Sequence, residues 1–255
     1  MGLNAFSAAA LSNTYDMKIP TVHAMYWDNI PSSILSKQRE VFAHLDIPLQ
    51  QERADQQPHG LWMNEVLARM APEDIVVICD IDAFPLSHAA YLAAVQHARE
   101  GALFGLAQFS NHKQGTQVYA GPMFMAFRKS MWMQLGSPTM RSSKVNDAAE
   151  IMSVLAREAG IPVVMPAVSA CLLPKWSLGN EGVFGIGTFY GKNDFFHLFE
   201  SRKPAYEAIF HAVADDVLAD KPLNFRHYLE IVEQLQAAES GQPPRRRSWW
   251  KRLWK

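Results

Sequence analysis

One short apolar run constrains the fold of this chain more than any other segment. Residues 75–79 read IVVIC, and the acidic residues Asp80 and Asp82 follow almost at once. Five consecutive apolar residues, rich in β-branched side chains, are typical of a strand that is buried on both faces of a parallel sheet. Because helices cover both faces of such a sheet, the run predicts an α/β architecture.

The rest of the chain alternates between strand and helix patterns, as an α/β protein requires. We predict strands over 20–27, 47–52, 75–79, 102–109, 118–127 and 161–166. We predict helices over 31–46, 60–70, 85–100, 129–135, 145–160 and 205–236, the last broken near Pro222. With no linker before Ser240, we expect a single domain over residues 1–240, in which helices flank a mostly parallel, twisted sheet, and a separate tail over residues 241–255.

Composition excludes several classes of protein. Hydrophobic residues make up 49% of the 255 residues and charged residues 19%, as in folded globular proteins and unlike disordered or fibrous ones. No apolar run approaches the ~20 residues that span a bilayer. The start of the chain lacks the basic segment of a secretory signal, and Cys79 and Cys171 are too few for a disulfide framework. We therefore expect a cytoplasmic protein.

The last eleven residues, 245–255, carry a strong charge asymmetry. They hold six of the 24 basic residues and no acidic one, which leaves 18 basic against 25 acidic residues elsewhere. An acidic body of this kind does not predict binding to nucleic acid, which favours a basic face.

Four apolar residues among these basic ones recur at a helical spacing: Trp249, Trp250, Leu253 and Trp254. A helix of this pattern is apolar on one side and cationic on the other, which suits an anionic membrane surface, and tryptophan favours the headgroup region. Alternatives are a disordered tail or a helix docked on the domain or on a partner. We predict peripheral binding at the inner face of the membrane through Arg245, Arg246, Arg247, Trp249, Trp250, Lys251 and Trp254.

The acidic pair is the sharpest functional feature. In open α/β sheets, ligands bind at the carboxyl ends of the strands. Two carboxylates at that position, Asp80 and Asp82, can reach one hard divalent cation, which a substrate's phosphates then share. The alternative is that Asp80 caps the following helix and Asp82 is merely exposed. We predict a site for Mn²⁺ or Mg²⁺.

The chain resembles glycosyltransferases of the GT-A fold, whose DxD motif follows a strand as Asp80 and Asp82 do. Several β/α units precede the pair, where that fold binds the nucleotide. Ala120 and Gly121 begin a segment similar to the small-residue strand of the fold, near the sugar and the acceptor. The resemblance implies a nucleotide-sugar donor, with a UDP sugar favoured, and a glycan or lipid-linked acceptor in the synthesis of surface polysaccharide or lipopolysaccharide.

Residues 197–204, HLFESRKP, are similar to the histidine segment of the glycogenin-like and bacterial galactosyltransferase-like retaining enzymes. The resemblance implies that His197 is the third metal ligand and that Lys203 contacts the donor diphosphate, with Arg202 beside it. The alternatives are a histidine that only packs among the neighbouring phenylalanines and a solvated basic residue at the start of the next helix. An imidazole ligand favours Mn²⁺ over Mg²⁺. The chain departs from that family at Glu200, where the family has glycine and a carboxylate would repel phosphate unless it turns away.

Several other residues are candidates for the site. Asn146 and Asp147 either bind the acceptor or the sugar hydroxyls, with Asp147 as general base in an inverting enzyme, or cap the helix over 145–160. Tyr26, Trp27 and Asp55 lie at or after the ends of the first two strands and are candidates for nucleotide binding.

One further segment and one histidine are open to interpretation. The glycine-rich residues 179–191 are either a mobile lid that excludes water from the donor or an ordinary loop. His59 receives no role.

Two other functions stay open. A phosphatase of the haloacid-dehalogenase type would use Asp80 as nucleophile and Asp82 as general acid, with Asp215, Asp216 and Asp220 as its later acidic motif. A non-catalytic, membrane-associated carbohydrate-binding module would keep the fold without the chemistry.

Overall fold

The computed structural model describes residues 19–110 and 117–240. The strands are β1 Val22–Tyr26, β2 Leu49–Arg53, β3 Ile75–Cys79, β4 Ala83–Pro85, β5 Leu103–Gln108, β6 Tyr119–Arg128, β7 Val163–Val164, β8 Val168–Ser177, β9 Val183–Tyr190 and β10 Phe195–Leu198. The helices are α1 Ser32–His44, α2 His59–Arg69, α3 His88–Arg99, α4 Lys129–Gln134, α5 Glu150–Glu158, α6 Pro204–Leu218 and α7 Phe225–Ser240.

The central sheet has six strands in the order β2-β1-β3-β6-β5-β7. Strand β1 runs parallel to β2 and β3, and β5 runs parallel to β7, whereas β6 is antiparallel to both of its neighbours. Helices α1 and α3 contribute to the apolar layer on one face, and α2 and α5 to the layer on the other. The predicted architecture, a mostly parallel sheet flanked by helices, is confirmed.

Strand β3 is buried on both faces, as its unbroken apolar sequence predicts. Val77 and Cys79 belong to the apolar layer that contains α1 and α3, and Val76 and Ile78 belong to the layer that contains α2 and α5. Because the whole strand lies inside the core, its first polar side chains appear where it leaves the sheet, at the acidic pair.

A second, antiparallel sheet in the order β4-β10-β9-β8 was not predicted. It contains most of the glycine-rich segment, since residues 183–190 form strand β9, in which every residue after Val183 is buried. A Cβ atom at Gly185 would lie 2.5 Å from the carbonyl oxygen of Leu172 on β8. The interpretation of these residues as a lid or loop is therefore wrong, because their glycines let two strands pack closely.

Two predicted helices begin later in the structure. Helix α3 starts at His88, because residues 83–85 pair with β10 as strand β4. Helix α5 starts at Glu150 and has Ala149 at its N-cap position. Asn146 and Asp147 thus precede the cap, and the interpretation of either residue as the N-cap is wrong. The break near Pro222 is confirmed, since α6 ends at residue 218 and α7 begins at residue 225.

None of the helices within residues 19–110 and 117–240 combines the length and the apolar character needed to cross a bilayer. Residues 241–255, with the basic and aromatic side chains of the proposed membrane contact, lie outside the described residues. Membrane binding and the division into a domain over 1–240 and a tail therefore stay predictions.

Candidate functional site

The acidic pair lies on a tight turn at the carboxyl end of β3. The amide of Asp80 donates to the carbonyl oxygen of Met123 on β6, and the amide of Ala83 donates to the carbonyl oxygen of Asp80, both at 3.1 Å. The chain then enters β4, where Ala83 pairs with His197 of β10. The contact between the two sheets thus brings a histidine from far along the sequence to the acidic pair.

Asp80, Asp82 and His197 form a group whose ligand atoms all lie within 4.8 Å of one another. His197 Nε2 is 3.6 Å from Asp82 Oδ1 and 4.0 Å from Asp80 Oδ2. These atoms are close enough to share one divalent cation, and two carboxylate oxygens with one imidazole nitrogen are a donor set that suits Mn²⁺. The three side chains therefore fit the implied metal.

The protonation of Asp80 reflects its crowded position. Its side chain is 26% exposed and that of Asp82 is 15% exposed. Burial and, next, the charge of Asp82 raise the pKa of Asp80 to about 7, against the opposing effect of His197. Without a cation, Asp80 is therefore partly protonated near neutral pH, and a bound cation would displace the proton.

Gln38 of α1 stabilises the turn through hydrogen bonds, although the sequence analysis did not identify it. The side chain is fully buried, and its Nε2 donates to the carbonyl oxygens of Asp80 and Ala83, each at 2.8 Å. Its Oε1 accepts a hydrogen bond from Gln51 of β2 at 2.9 Å. A polar residue within the apolar stripe of α1, four residues after Ile34, was the signal that could have identified it.

The histidine segment contacts the acidic pair a second time. Ser201 Oγ donates to Asp82 Oδ2 at 2.6 Å. Glu200 has a φ of 61°, in the left-handed region that favours glycine. Its Oε2 accepts from Lys203 Nζ at 2.8 Å and lies 4.0 Å from Lys175 Nζ. The carboxylate at the departure from the resembled family is thus neutralised by two lysines. Arg202 of the same segment is exposed.

His59, which received no role from the sequence, lies beside the acidic pair. It is the first residue of α2, its ring stacks on Trp62 with centroids 5.7 Å apart, and its Nε2 is 3.6 Å from Asp80 Oδ1. Burial lowers the pKa of His59 to about 4, although Asp82 and Asp147 raise it, so the ring is neutral at pH 7. A helix that follows a parallel strand begins at the carboxyl edge of the sheet, and that position could have suggested a role.

Asp147 lies close to this group, in the loop before α5. Its Oδ2 accepts a hydrogen bond from Tyr119 Oη at 3.4 Å, and its Oδ1 accepts from the amide of Ala148 at 2.8 Å. Its charge contributes to the raised pKa of Asp80. The neighbouring Asn146 binds Ser143 through its main chain. The loop therefore brings one of the two predicted residues, Asp147, into the electrostatic range of the acidic pair.

The predicted nucleotide residues meet at the carboxyl ends of β1 and β2. Asp55 Oδ1 accepts from the amide of Asp28 at 2.8 Å, and its Oδ2 accepts from Arg53 Nε at 2.6 Å. Trp27 donates its indole N–H to the main chain of the loop after β2. Tyr26 ends β1, which is the neighbour of β3 in the sheet. These residues therefore share the edge of the sheet from which Asp80 emerges.

Ala120 and Gly121 lie at the same edge. Both are buried in β6, and because Phe124 pairs with Cys79, residues 120 and 121 extend past the carboxyl end of β3. The amide of Ala120 donates to Ser153 Oγ at 2.9 Å. The structure thus brings this segment, the acidic pair and the ends of β1 and β2 to one edge of the central sheet.

The acids of the phosphatase alternative lie elsewhere. Asp215 and Asp216 are on α6, and Asp220 follows it. Their carboxylates form contacts, in that order, with Lys37, with Tyr228 and with His44. The structure does not bring them into the group formed by the acidic pair.

The sequence matches no protein-family model and no curated protein. Among solved structures, the chain is similar to the mannosyltransferase PcManGT from Pyrobaculum calidifontis in complex with GDP-Man and Mn²⁺, at 11% identity over 88% of this chain and 76% of that chain, with a TM-score of 0.44. The A197 protein from STIV matches at 8% identity over 71% and 95%, with a TM-score of 0.39. The glycosyltransferase GlyE from Streptococcus pneumoniae TIGR4 matches at 11% identity over 57% and 44%, with a TM-score of 0.34. With TM-scores below 0.5, these similarities assign the chain to no family.

Proposed function

We propose that this chain is a metal-dependent glycosyltransferase. It moves a sugar from a nucleotide-diphosphate sugar, with a UDP sugar as the favoured donor, to a glycan or lipid-linked acceptor. The observation that carries the proposal is the convergence of Asp80, Asp82 and His197 within 4.8 Å. The group lies at the carboxyl edge of the central sheet, the edge at which α/β proteins bind nucleotides.

The three residues would hold Mn²⁺ or Mg²⁺, which when bound neutralises the charge that develops on a leaving diphosphate. Lys203 and Lys175 would add positive charge from the protein itself. Both contact Glu200 Oε2, at 2.8 Å and 4.0 Å, so an anionic donor competes with this carboxylate for them. Arg202, beside Lys203 and exposed, is a further candidate contact for the diphosphate.

The remaining predicted residues divide between the two substrates. Tyr26, Trp27 and Asp55 would contact the nucleotide at the ends of β1 and β2, and the segment at Ala120 and Gly121 would lie near the sugar. We place Asp147, with Asn146 beside it, on the acceptor side. A carboxylate there accepts a hydrogen bond from a sugar hydroxyl, or the proton of the attacking hydroxyl when the anomeric centre is inverted.

The biological setting is a proposal that rests on the tail and on the resemblance to known glycosyltransferases. We propose that the tail over 241–255 holds the enzyme at the inner face of the membrane, where an acceptor for surface polysaccharide or lipopolysaccharide synthesis is available. The basic and tryptophan residues of the tail support this placement.

A thermal-shift panel of UDP, GDP, CDP and ADP, each with and without Mn²⁺, tests the function. A ligand at 100 times its Kd stabilises by about 2.7 kcal/mol, which for a chain of this size raises Tm by roughly 5–10 °C. We expect one diphosphate to give such a shift only with Mn²⁺. The variants Asp80→Asn, Asp82→Asn and His197→Asn should lose it, because each removes a metal ligand.

Asp46→Asn is the matched control. Asp46 is an exposed acid with a left-handed backbone, which asparagine also adopts, and it lies before β2, at the opposite edge of the sheet from the acidic pair. It should retain the full shift. An unchanged shift in Asp82→Asn would refute the metal site. A shift with Mg²⁺ and a phosphate mimic, and with no nucleotide, would favour the phosphatase, and glycan binding without metal or nucleotide would favour the binding module.

A further inference from the structure

The carboxylate of Asp80 lies between two histidines, and each of its oxygens faces a different one. Oδ2 is 4.0 Å from His197 Nε2, and Oδ1 is 3.6 Å from His59 Nε2. His197 belongs to the second sheet, whereas His59 opens the helix α2 that packs on the central sheet. The group assigned to the metal uses one of these histidines and leaves the other without a function.

The position of His59 is unusual for a residue without a role. Its Nε2 is buried and has no hydrogen-bond partner among the described residues. A buried polar atom left unpaired is unfavourable, because it has lost its hydrogen bonds to water, so this arrangement calls for a compensating interaction. The ring is held by its stack on Trp62, with an angle of 25° between the planes, and this stack keeps Nε2 directed at Asp80.

We propose that His59 is a positioning residue of the metal site, which holds Oδ1 of Asp80 through its Nε2–H and leaves Oδ2 to face His197 and Asp82. The inference rests on the proposed function, since it presupposes a cation. A metal-binding carboxylate is usually hydrogen-bonded through its other oxygen, and loss of such a partner typically lowers metal affinity 10- to 100-fold. The present separation of 3.6 Å needs to shorten by about 0.5 Å to reach hydrogen-bond distance.

Binding of Mn²⁺ alone tests the inference, measured by electron paramagnetic resonance on the full chain without any nucleotide. His59→Phe keeps an aromatic ring on Trp62 and removes the hydrogen-bond donor, so we expect the variant to fold as the wild type does. His59→Gln places an amide N–H near the position of Nε2 and should rescue the donor. His97→Phe is the matched control, because the ring of His97 also stacks on an aromatic residue, Phe104, with centroids 5.9 Å apart, and lies on α3, away from the acidic pair.

We expect His59→Phe to raise the Kd for Mn²⁺ at least tenfold, with His59→Gln within about threefold of the wild type and His97→Phe unchanged. The pulsed spectrum should show one coordinated nitrogen in the wild type, in His59→Phe and in His59→Gln, because that nitrogen comes from His197. An unchanged Kd in His59→Phe would overturn the inference. Loss of the nitrogen signal in a His59 variant would also overturn it, because His59 would then be a ligand itself.

The proposed function can fail separately. If the wild type does not bind Mn²⁺, the metal site itself is refuted, and the role of His59 falls with it. If the wild type and His59→Phe bind Mn²⁺ equally well, the metal-dependent function stands and only the role of His59 is wrong.

Discussion

The charge on Asp80 is unfavourable in the metal-free protein and becomes favourable when a cation neutralises it. Burial and the adjacent Asp82 raise the pKa of Asp80 to about 7, well above the ~3.9 of an exposed aspartate. Because the raised pKa belongs to the folded state, ionisation of Asp80 destabilises the metal-free protein as pH rises from about 4 through 7. A bound cation reverses the sign, because it binds the ionised form.

Binding of Mn²⁺ should therefore weaken as pH falls below 7, by up to about tenfold per pH unit, since one proton must be displaced. The Mn²⁺-induced rise in Tm should be larger at pH 8 than at pH 5.5. His59, with a pKa of about 4, does not titrate in this range. Thermal unfolding at the two pH values, with and without Mn²⁺, measures the effect. A rise in Tm that is the same at both values would contradict the assignment of Asp80 as a ligand.

Single residues also show where local sequence is misleading. Gln38 and Ser201 are ordinary polar residues in the sequence, yet each makes a short hydrogen bond to the acidic turn. Glu200 departs from the resembled family, and its carboxylate lies near Lys203, three residues later, and near Lys175 of β8, which no local pattern connects to it. The hydrogen bonds of Gln38 and Ser201, and the approach of Lys175 to Glu200, are contacts between residues far apart in the sequence.

At the scale of elements, the pairing of β8 with β9 explains why a glycine-rich segment is a strand. Gly185 and Gly187 are fully inside the second sheet, where side chains at these positions would meet β8 or α6. Flexible loops and closely packed strands both select glycine, the first for backbone freedom and the second for lack of a Cβ atom. The sequence cannot distinguish the two reasons.

Gly185→Ala should lower the stability of the chain by about 1–3 kcal/mol, the usual cost of overpacking. The added Cβ would lie 2.5 Å from a backbone oxygen and 2.8 Å from Cys171 Sγ, so a strand must move. Denaturant unfolding measures the loss. Val183→Ala, at an exposed position of the same strand, is the control and should change stability by less than about 1 kcal/mol. Wild-type stability in Gly185→Ala would contradict the close packing of β8 and β9.

At the scale of the whole molecule, the candidate site lies where the two sheets meet. The central sheet contributes Asp80 at the end of β3, and the second sheet contributes His197 on β10. Strand β4, which begins directly after the acidic turn, joins the second sheet and pairs with β10. The acidic pair is thus located at the crossing between the sheets, so its geometry depends on the whole fold.

The proposed membrane binding also belongs to the whole molecule, because a bound tail would hold the entire chain at the membrane. We expect the full chain to sediment with vesicles that contain anionic lipid and not with zwitterionic vesicles, and to be released as salt is raised. A variant with alanine at Trp249, Trp250 and Trp254 should bind less, and so should one with serine at residues 245–247. Equal binding of both variants and the wild type would contradict a membrane role for the tail.

The sequence by itself determined the features that arise from neighbouring residues. The apolar run over 75–79 identified a strand buried on both faces, and the acidic residues after it identified the edge of the sheet where we propose that the ligands bind, because both follow from burial along one segment. A resemblance to known enzymes suggested His197 as a partner of Asp80, but only the tertiary structure decided that His59 and Gln38 join it. The order of the strands and the unpredicted second sheet bring these side chains to Asp80, since contacts between remote residues depend on how the elements pack and not on any local pattern.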